Sequence, residues 1–416
     1  MKKINIITFC SSVFIYLCGV SITMLHGEFL IFDLSTVEIG CYIIATLLLI
    51  LSIIIFIVDN KLYFGIKYGI AYLKIKNSLE RQLLEAGVID SCNAPKIDLK
   101  FSRDLSSGEL RIRNSIYLDK KLEKKIISAG LLNYIVDEQY KSKDLNEHIY
   151  KLINTDISYK KYYEKYEDFI MDVENIGNYR MMIDSRYKNV LLNHMLVTGQ
   201  TGSGKSYFVN GLILQLMNKK ISYKFYIADP KMSGMCHIGK KICEDNCATE
   251  FDEIRKLISK FVEEMDIRKN VMGEYGSLAI NKDYRYFKLE PMILIIDELA
   301  TFMYELECKE KKVRDEINAN LAKITLQGRQ LGCFLWGIMQ KSDSKLISTV
   351  IRENMPIKIV LGNSESQTYT TSFGTGVDIP VYDFDIGEGV FIAPVIAKNP
   401  KIIFTPEYAF ELIDYI

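Results

Sequence analysis

The chain has no excess of charge of either sign. Its 416 residues carry 52 Lys and Arg against 52 Asp and Glu, so whole-chain electrostatics does not mark a nucleic-acid binder, and any surface for nucleic acid has to be a local patch. Paired C-x-x-C knuckles are also missing. Among nine cysteines, Cys236, Cys243 and Cys247 beside His237 form the only cluster, and their spacing is not that of a structural zinc site; they read as reduced, unliganded thiols of a cytosolic domain.

Two stretches lack charge altogether. From Ile4 to Leu25 there is no Asp, Glu, Lys or Arg, and the run from Ile39 to Val58 is again uncharged. Each is long enough to cross a hydrocarbon core of about 30 Å as a helix. The first has no clear small-residue cleavage site and is followed at once by the second, which predicts a two-span hairpin at about residues 4–25 and 38–58 rather than a signal peptide. Residues 26–38 between them hold Glu28, Asp33 and Glu38 but no Lys or Arg, whereas Lys2 and Lys3 precede the first span and Lys61, Lys67, Lys74 and Lys76 follow the second. Positive flanks place both termini on the cytoplasmic side of a cell membrane.

What the chain does have centres on Gly199-Gln200-Thr201-Gly202-Ser203-Gly204-Lys205-Ser206, a full match to G-x-x-x-x-G-K-[ST]. The preceding Asn189 to Val197 can supply a strand, and Tyr207 to Met217 a helix. The glycines let the backbone turn so that N–H groups converge on β- and γ-phosphates at a helix N-terminus. Lys205 adds a point charge there, Ser206 offers a hydroxyl to Mg²⁺, and Tyr207 follows directly against the nucleotide. Downstream, the apolar strand Met292 to Ile296 ends in Asp297-Glu298, in position for Asp297 to hold Mg²⁺ through water and for Glu298 to polarise the attacking water. Gln340 ends the strand Cys333 to Met339 and can report the γ-phosphate. Arg329 or Arg352 can act on the transition state across a subunit boundary.

Strands at 222–228, 292–296, 333–339, 357–361 and 390–393, with helices at 251–273 and 317–331, predict an α/β fold: a RecA-like P-loop NTPase with a mainly parallel sheet. The expected layout is a transmembrane hairpin over 1–60, a membrane-proximal helix and small α+β region over 61–180, and the ATPase domain over 181–416. In the middle region, strands at 96–101 and 109–113 and a helix at 122–131 are expected.

The ordered set of the phosphate loop, Ala228-Asp-Pro-Lys231, Met265 to Met272, Leu294-Ile-Ile-Asp-Glu-Leu-Ala300, Gln327-Gly-Arg-Gln-Leu-Gly332, Met339-Gln340 and Ile351 to Pro356 resembles the FtsK/SpoIIIE family over roughly residues 185–395. The two-span anchor and overall size resemble TcpA-type coupling proteins of Gram-positive conjugative elements. This resemblance implies a homo-hexamer around DNA, using ATP and Mg²⁺, that hands DNA and its relaxase to a transfer channel in the membrane. The sequence departs from the family at Met339-Gln-Lys-Ser342, where a Thr-Gln-Arg-Pro-like turn is usual, and a winged-helix domain after the motor is not expected. Alternative readings are a protein-export ATPase of FtsK type, a chromosome-partitioning translocase and a slow nucleotide switch. Candidate DNA contacts are Lys240-Lys241 and the Lys309 to Arg314 cluster, binding phosphates rather than reading bases.

Overall fold

A computed structural model describes residues 2–26, 35–89, 95–122, 127–275, 281–340 and 347–416. The chain divides into two compact units, one of residues 1–136 and 140–156, the other of residues 137–139 and 157–416.

In the first unit, α1 (Lys2–His26) and α2 (Ser35–Asp59) pair along their length. Their contacts are polar inside and apolar outside. Ser12 Oγ donates to the Ala45 carbonyl at 2.8 Å and Ser52 Oγ to Asn5 Oδ1 at 2.7 Å, while Ile6, Phe14, Ile44 and Leu47 are exposed. The segments Asn5–Met24 and Ile39–Asp59 are long and apolar enough to cross a membrane. Glu28 and Asp33 of the connection lie outside the described residues.

Helix α3 (Ile66–Glu85) buries Tyr68, Tyr72, Ile75, Leu79 and Leu83 on one face, at the three- and four-residue spacing of an amphipathic helix. These pack with Leu99, Leu110, Ile112 and Tyr150 of a four-stranded sheet. It is built from β1 (Ile97–Phe101), β2 (Ser107–Arg113), β3 (Tyr134–Lys141) and β4 (Glu147–Asn154), in the order β1-β2-β4-β3. Of the helix expected over 122–131, Leu122 is the last residue of α4 (Ile116–Leu122), which buries Leu118 and Leu122, and Ser128–Gly130 form a 3-10 turn. Residues 123–126 of that expectation lie outside the described ones.

The second unit takes in residues 157–180, which composition alone groups with the membrane-proximal region. Here β5 (Tyr162–Tyr163), α5 (Tyr166–Val173) and the short pair β6 (Arg180–Met181) and β7 (Val190–Leu191) precede the main sheet. Tyr163, Phe169, Val173 and Ile176 bury themselves in its core. The main sheet is wound from β8 (Met195–Gly199), α6 (Lys205–Met217), β9 (Lys224–Ala228), α7 (Gly234–Ile242), β10 (Cys247–Ala248), α8 (Phe251–Glu274), β11 (Met292–Ile296), α9 (Leu299–Glu307), α10 (Lys311–Leu331), β12 (Cys333–Met339), α11 (Thr349–Glu353), β13 (Ile357–Leu361), α12 (Ser366–Phe373), β14 (Glu388–Ala393) and β15 (Ala397–Phe404), with β16 (Glu407–Tyr408) and α13 (Leu412–Tyr415) after it.

Strand order is β10-β9-β11-β12-β8-β13-β14-β15. Strands β10 to β13 run parallel, and β14 and β15 close the edge antiparallel. Every residue of β8, β11 and β12 is buried. Both faces are covered, one by a cluster that includes Val209 and Ile213 of α6, the other by Ile258 of α8 and Leu321 of α10. That double cover explains why these strands read as unbroken apolar runs rather than alternating ones.

Candidate nucleotide site

The registers bring three strand ends to one edge. Met339 of β12 pairs with Thr198 of β8, and Ile296 of β11 with Gly337 of β12. Because β12 lies between β8 and β11, Gln340 emerges between the phosphate loop and the Asp297-Glu298 pair. Loop, reporter and acidic pair thus converge at the carboxyl ends of the strands, where open α/β sheets bind ligands.

The loop from Gly199 to Gly204 needs its glycines. Gly199 (φ +150°), Gly202 (φ +82°) and Gly204 (φ +92°) all have positive φ, and a Cβ on Gly199 would stand 2.3 Å from the Leu361 carbonyl oxygen. Thr201, Gly202 and Ser206 are exposed at the mouth, whereas Ser203 and Lys205 are buried. Lys205 Nζ donates to the carbonyls of Gly199 at 2.7 Å and Gln200 at 2.8 Å. Burial lowers its pKa, the Glu298 and Asp297 carboxylates oppose that, and the Lys231 ammonium adds to it. Behind the loop, the Gly387 N–H donates to the Ser203 carbonyl at 3.1 Å. At the start of α6, Tyr207 Oη donates to the Tyr408 carbonyl at 2.8 Å and accepts from the Tyr408 N–H at 2.9 Å.

Across the edge, Asp297 is buried and its Oδ1 accepts from the Glu298 N–H at 3.1 Å. Ser233 Oγ lies 2.8 Å from Asp297 Oδ2 and 2.9 Å from Asp229 Oδ2. Asp229 also accepts the Cys236 N–H at 2.9 Å, and its Oδ1 is buried with no partner. Burial raises the Asp297 pKa; the Ser233 hydroxyl opposes this, and Asp229 and Glu298 reinforce it. Glu298 sits in the left-handed region at φ 51°, ψ 49°. Its Oε1 accepts from Gln340 Nε2 at 2.8 Å, and its Oε2 lies 3.2 Å from Lys231 Nζ. Sequence reasoning gives no role to Asp229, Lys231 or Ser233, although the Ala228 to Lys231 motif marks the place.

Crowded carboxylates and the orphaned Asp229 oxygen fit a divalent cation. Among the described residues no three His, Cys, Asp or Glu side chains enclose a metal.

The remaining candidates lie elsewhere. Arg329 is in the last turn of α10, before the start of β12, and Arg352 is in α11, before the start of β13. Both therefore stand at the opposite end of the strands from Lys205, across a seven-residue β12 that rises about 3.3 Å per residue. Arg352 Nη1 is buried without a partner. Lys240 and Lys241 form the last turn of α7, where Lys241 Nζ donates to the Ile413 carbonyl at 2.6 Å. Lys309 pairs with Glu305 at 3.0 Å and Arg314 with Glu307 at 3.4 Å, whereas Lys311 and Lys312 are exposed at the start of α10. Cys236, Cys243 and Cys247 are free thiols whose pKa values burial raises, that of Cys243 to about 12.

A phosphate loop after one central strand, an acidic pair two strands away and a polar reporter between them define a P-loop NTPase. Residues 156–285 match the FtsK/SpoIIIE family. The matched stretch takes in the phosphate loop, β9 and α8.

Over 218 residues it is 26% identical to the FtsK domain-containing protein YdcQ of Bacillus subtilis (strain 168), covering 50% of this chain and 44% of that protein. The DNA translocase FtsK of Halalkalibacterium halodurans is 26% identical over 203 residues, covering 44% of this chain and 24% of that protein. The matched stretches thus take up less than half the length of these curated relatives. The structure of the pCW3 conjugation coupling protein TcpA, a monomer form with ATPγS, aligns at a TM-score of 0.50 and 18% identity, covering 81% of this chain and 96% of that one. That likeness supports the shared fold.

Proposed function

We propose that this chain is an ATP-driven DNA translocase, held to a cell membrane by α1 and α2 with both termini cytoplasmic, and that it acts as a coupling protein delivering DNA to a conjugative transfer channel. The observation that carries the reading is the convergence of Lys205, Asp297, Glu298 and Gln340 on one sheet edge within an FtsK-family domain.

In this reading the N–H groups from Gly199 to Ser206 and the Lys205 ammonium bind the β- and γ-phosphates, and Tyr207 stands next to them. Ser206 and Asp297 would hold Mg²⁺, which supplies charge neutralisation on the phosphates. Glu298 takes the proton of the attacking water, and Gln340, already within hydrogen-bond reach of that carboxylate, aligns it. Arg329 at the far end of the strands serves the site of a neighbouring copy, which a head-to-tail hexameric ring provides. DNA is gripped by its backbone, with Lys311 and Lys312 as contacts, and the relaxase is a further partner. The organisation into a hairpin over 1–60, a membrane-proximal region and a carboxyl-terminal motor belongs to the same proposal.

The test is steady-state ATP hydrolysis by the detergent-solubilised chain and its Lys205→Ala and Glu298→Gln variants, with no DNA, single-stranded DNA or duplex. A DNA-stimulated turnover that both variants lose is expected. Hydrolysis indifferent to either DNA overturns the reading and points to a protein cargo.

A further inference from the structure

Both carboxylate oxygens of Glu298 are already engaged. Oε1 accepts from Gln340 and Oε2 faces Lys231, so the oxygen that must take a proton from water is covered by an ammonium.

Lys231 is placed to do more than pair with it. It sits in a tight turn, closed by the Met232 N–H donating to the Asp229 carbonyl at 3.1 Å, at the carboxyl end of β9, beside the acidic pair. Pro230 in that turn fixes the local backbone. Its charge bears directly on Lys205, the residue that meets the phosphates. The side chain of Lys231 is 41% exposed, against 14% for that of Glu298, so the lysine is the partner with open space beside it. Glu298 itself sits in a left-handed backbone conformation, which a non-glycine residue keeps only where its surroundings hold it.

We propose that Lys231 is a positioning residue that covers Glu298 until ATP binds, and then exchanges the carboxylate for the γ-phosphate, uncovering the base only when there is a phosphate to attack. The γ-phosphate carries more negative charge than one carboxylate and lies on the Lys205 side, so it competes for the same ammonium; ADP offers nothing there. Lys231 would thereby tie hydrolytic competence to the third phosphate. The inference rests on the nucleotide site of the proposed function but not on its cargo.

A double-mutant cycle on the full chain, reading ATPγS and ADP affinity with Mg²⁺ present, tests this. Lys231→Ala should weaken ATPγS about tenfold, the loss of one charge-assisted hydrogen bond, and leave ADP within about twofold, as P-loop contacts to the β-phosphate persist. Glu298→Gln removes the competing charge and should tighten ATPγS about threefold, the scale of a half-exposed ion pair. In the double variant that tightening should vanish, and Lys231→Arg should restore most of the preference for the triphosphate.

Equal weakening of ATPγS and ADP in Lys231→Ala, or tightening by Glu298→Gln that persists without Lys231, overturns the exchange. DNA plays no part in this readout. Hydrolysis without DNA stimulation would therefore sink the translocase reading and spare this one, and a failed cycle would do the reverse.

Discussion

Two glycines of the phosphate loop separate steric from conformational cost. Gly199 and Gly202 both have positive φ, +150° and +82°, but only one is crowded. A Cβ on Gly199 would lie 2.3 Å from the Leu361 carbonyl oxygen and 2.7 Å from Ser203 Oγ, whereas one on Gly202 meets nothing within 4 Å. Gly202→Ala therefore carries only backbone strain, about 1 kcal/mol, or roughly a fivefold loss of ATP affinity. Gly199→Ala adds an overpacking cost of about 1–3 kcal/mol to strain of similar size, because β8 and β13 must part by most of an ångström. The expected loss is about 30-fold or more. Affinity is read by equilibrium binding of a fluorescent ATP analogue to the detergent-solubilised chain, with thermal melting run beside it to show that both variants fold. Equal losses at the two positions would refute the reasoning, since the main difference between them is the crowding of Gly199 by the Leu361 carbonyl.

Charge reversal of Lys311 and Lys312 should weaken DNA binding and flatten its dependence on salt by about one unit of slope for each DNA phosphate the helix start ceases to neutralise; an unchanged titration removes those two lysines from the DNA-binding surface. Arg329→Ala should abolish ATP hydrolysis while sparing ATP binding, and mixing it with Lys205→Ala chains should restore some turnover in mixed rings, since each supplies what the other lacks. Wild-type turnover in Arg329→Ala removes the arginine from the scheme. His194 is buried next to Gly328, its Nδ1 accepts the Leu335 N–H at 3.0 Å, and burial with the nearby Arg329 charge lowers its pKa to about 3. With the folded value depressed below an unfolded value of about 6.5, its contribution is present above pH 6.5 or so and is lost as pH falls toward the folded value. Thermal midpoints should thus fall more steeply between pH 7 and 5 for the wild type than for His194→Gln; parallel slopes would show that the imidazole titrates normally.

The main sheet is legible in the sequence because its central strands are covered on both faces. Runs such as Met292 to Ile296 and Cys333 to Met339 carry an unambiguous apolar signal, and the phosphate loop fixes what stands at their ends. The pair β3 and β4 is not, since Tyr-Ile-Val-Asp-Glu-Gln-Tyr-Lys has no clean alternation of apolar and polar residues. The edge strand β15 escapes for a related reason, as Pro400 and three lysines or asparagines dilute its pattern. In the site, Lys205, Asp297 and Glu298 follow from spacing alone. The sharing of Ser233 between two aspartates and the pairing of Lys231 with Glu298 do not, because both depend on β9 lying beside β11, and strand order is not written in any local stretch.

Tyr207 gives the phosphate loop a handle on a distant part of its own unit. Its hydroxyl is bonded twice to the backbone of Tyr408, 201 positions later in the chain. Gly211, one turn further along α6, admits the Tyr408 ring so closely that a Cβ there would stand 2.6 Å from the phenol oxygen. Tyr408 in turn belongs to β16, which runs parallel to β5. The first turn of α6, β16 and β5 are therefore joined in series, so residues 162–163 and 407–408 are tied by backbone hydrogen bonds to the helix that opens on the phosphate loop.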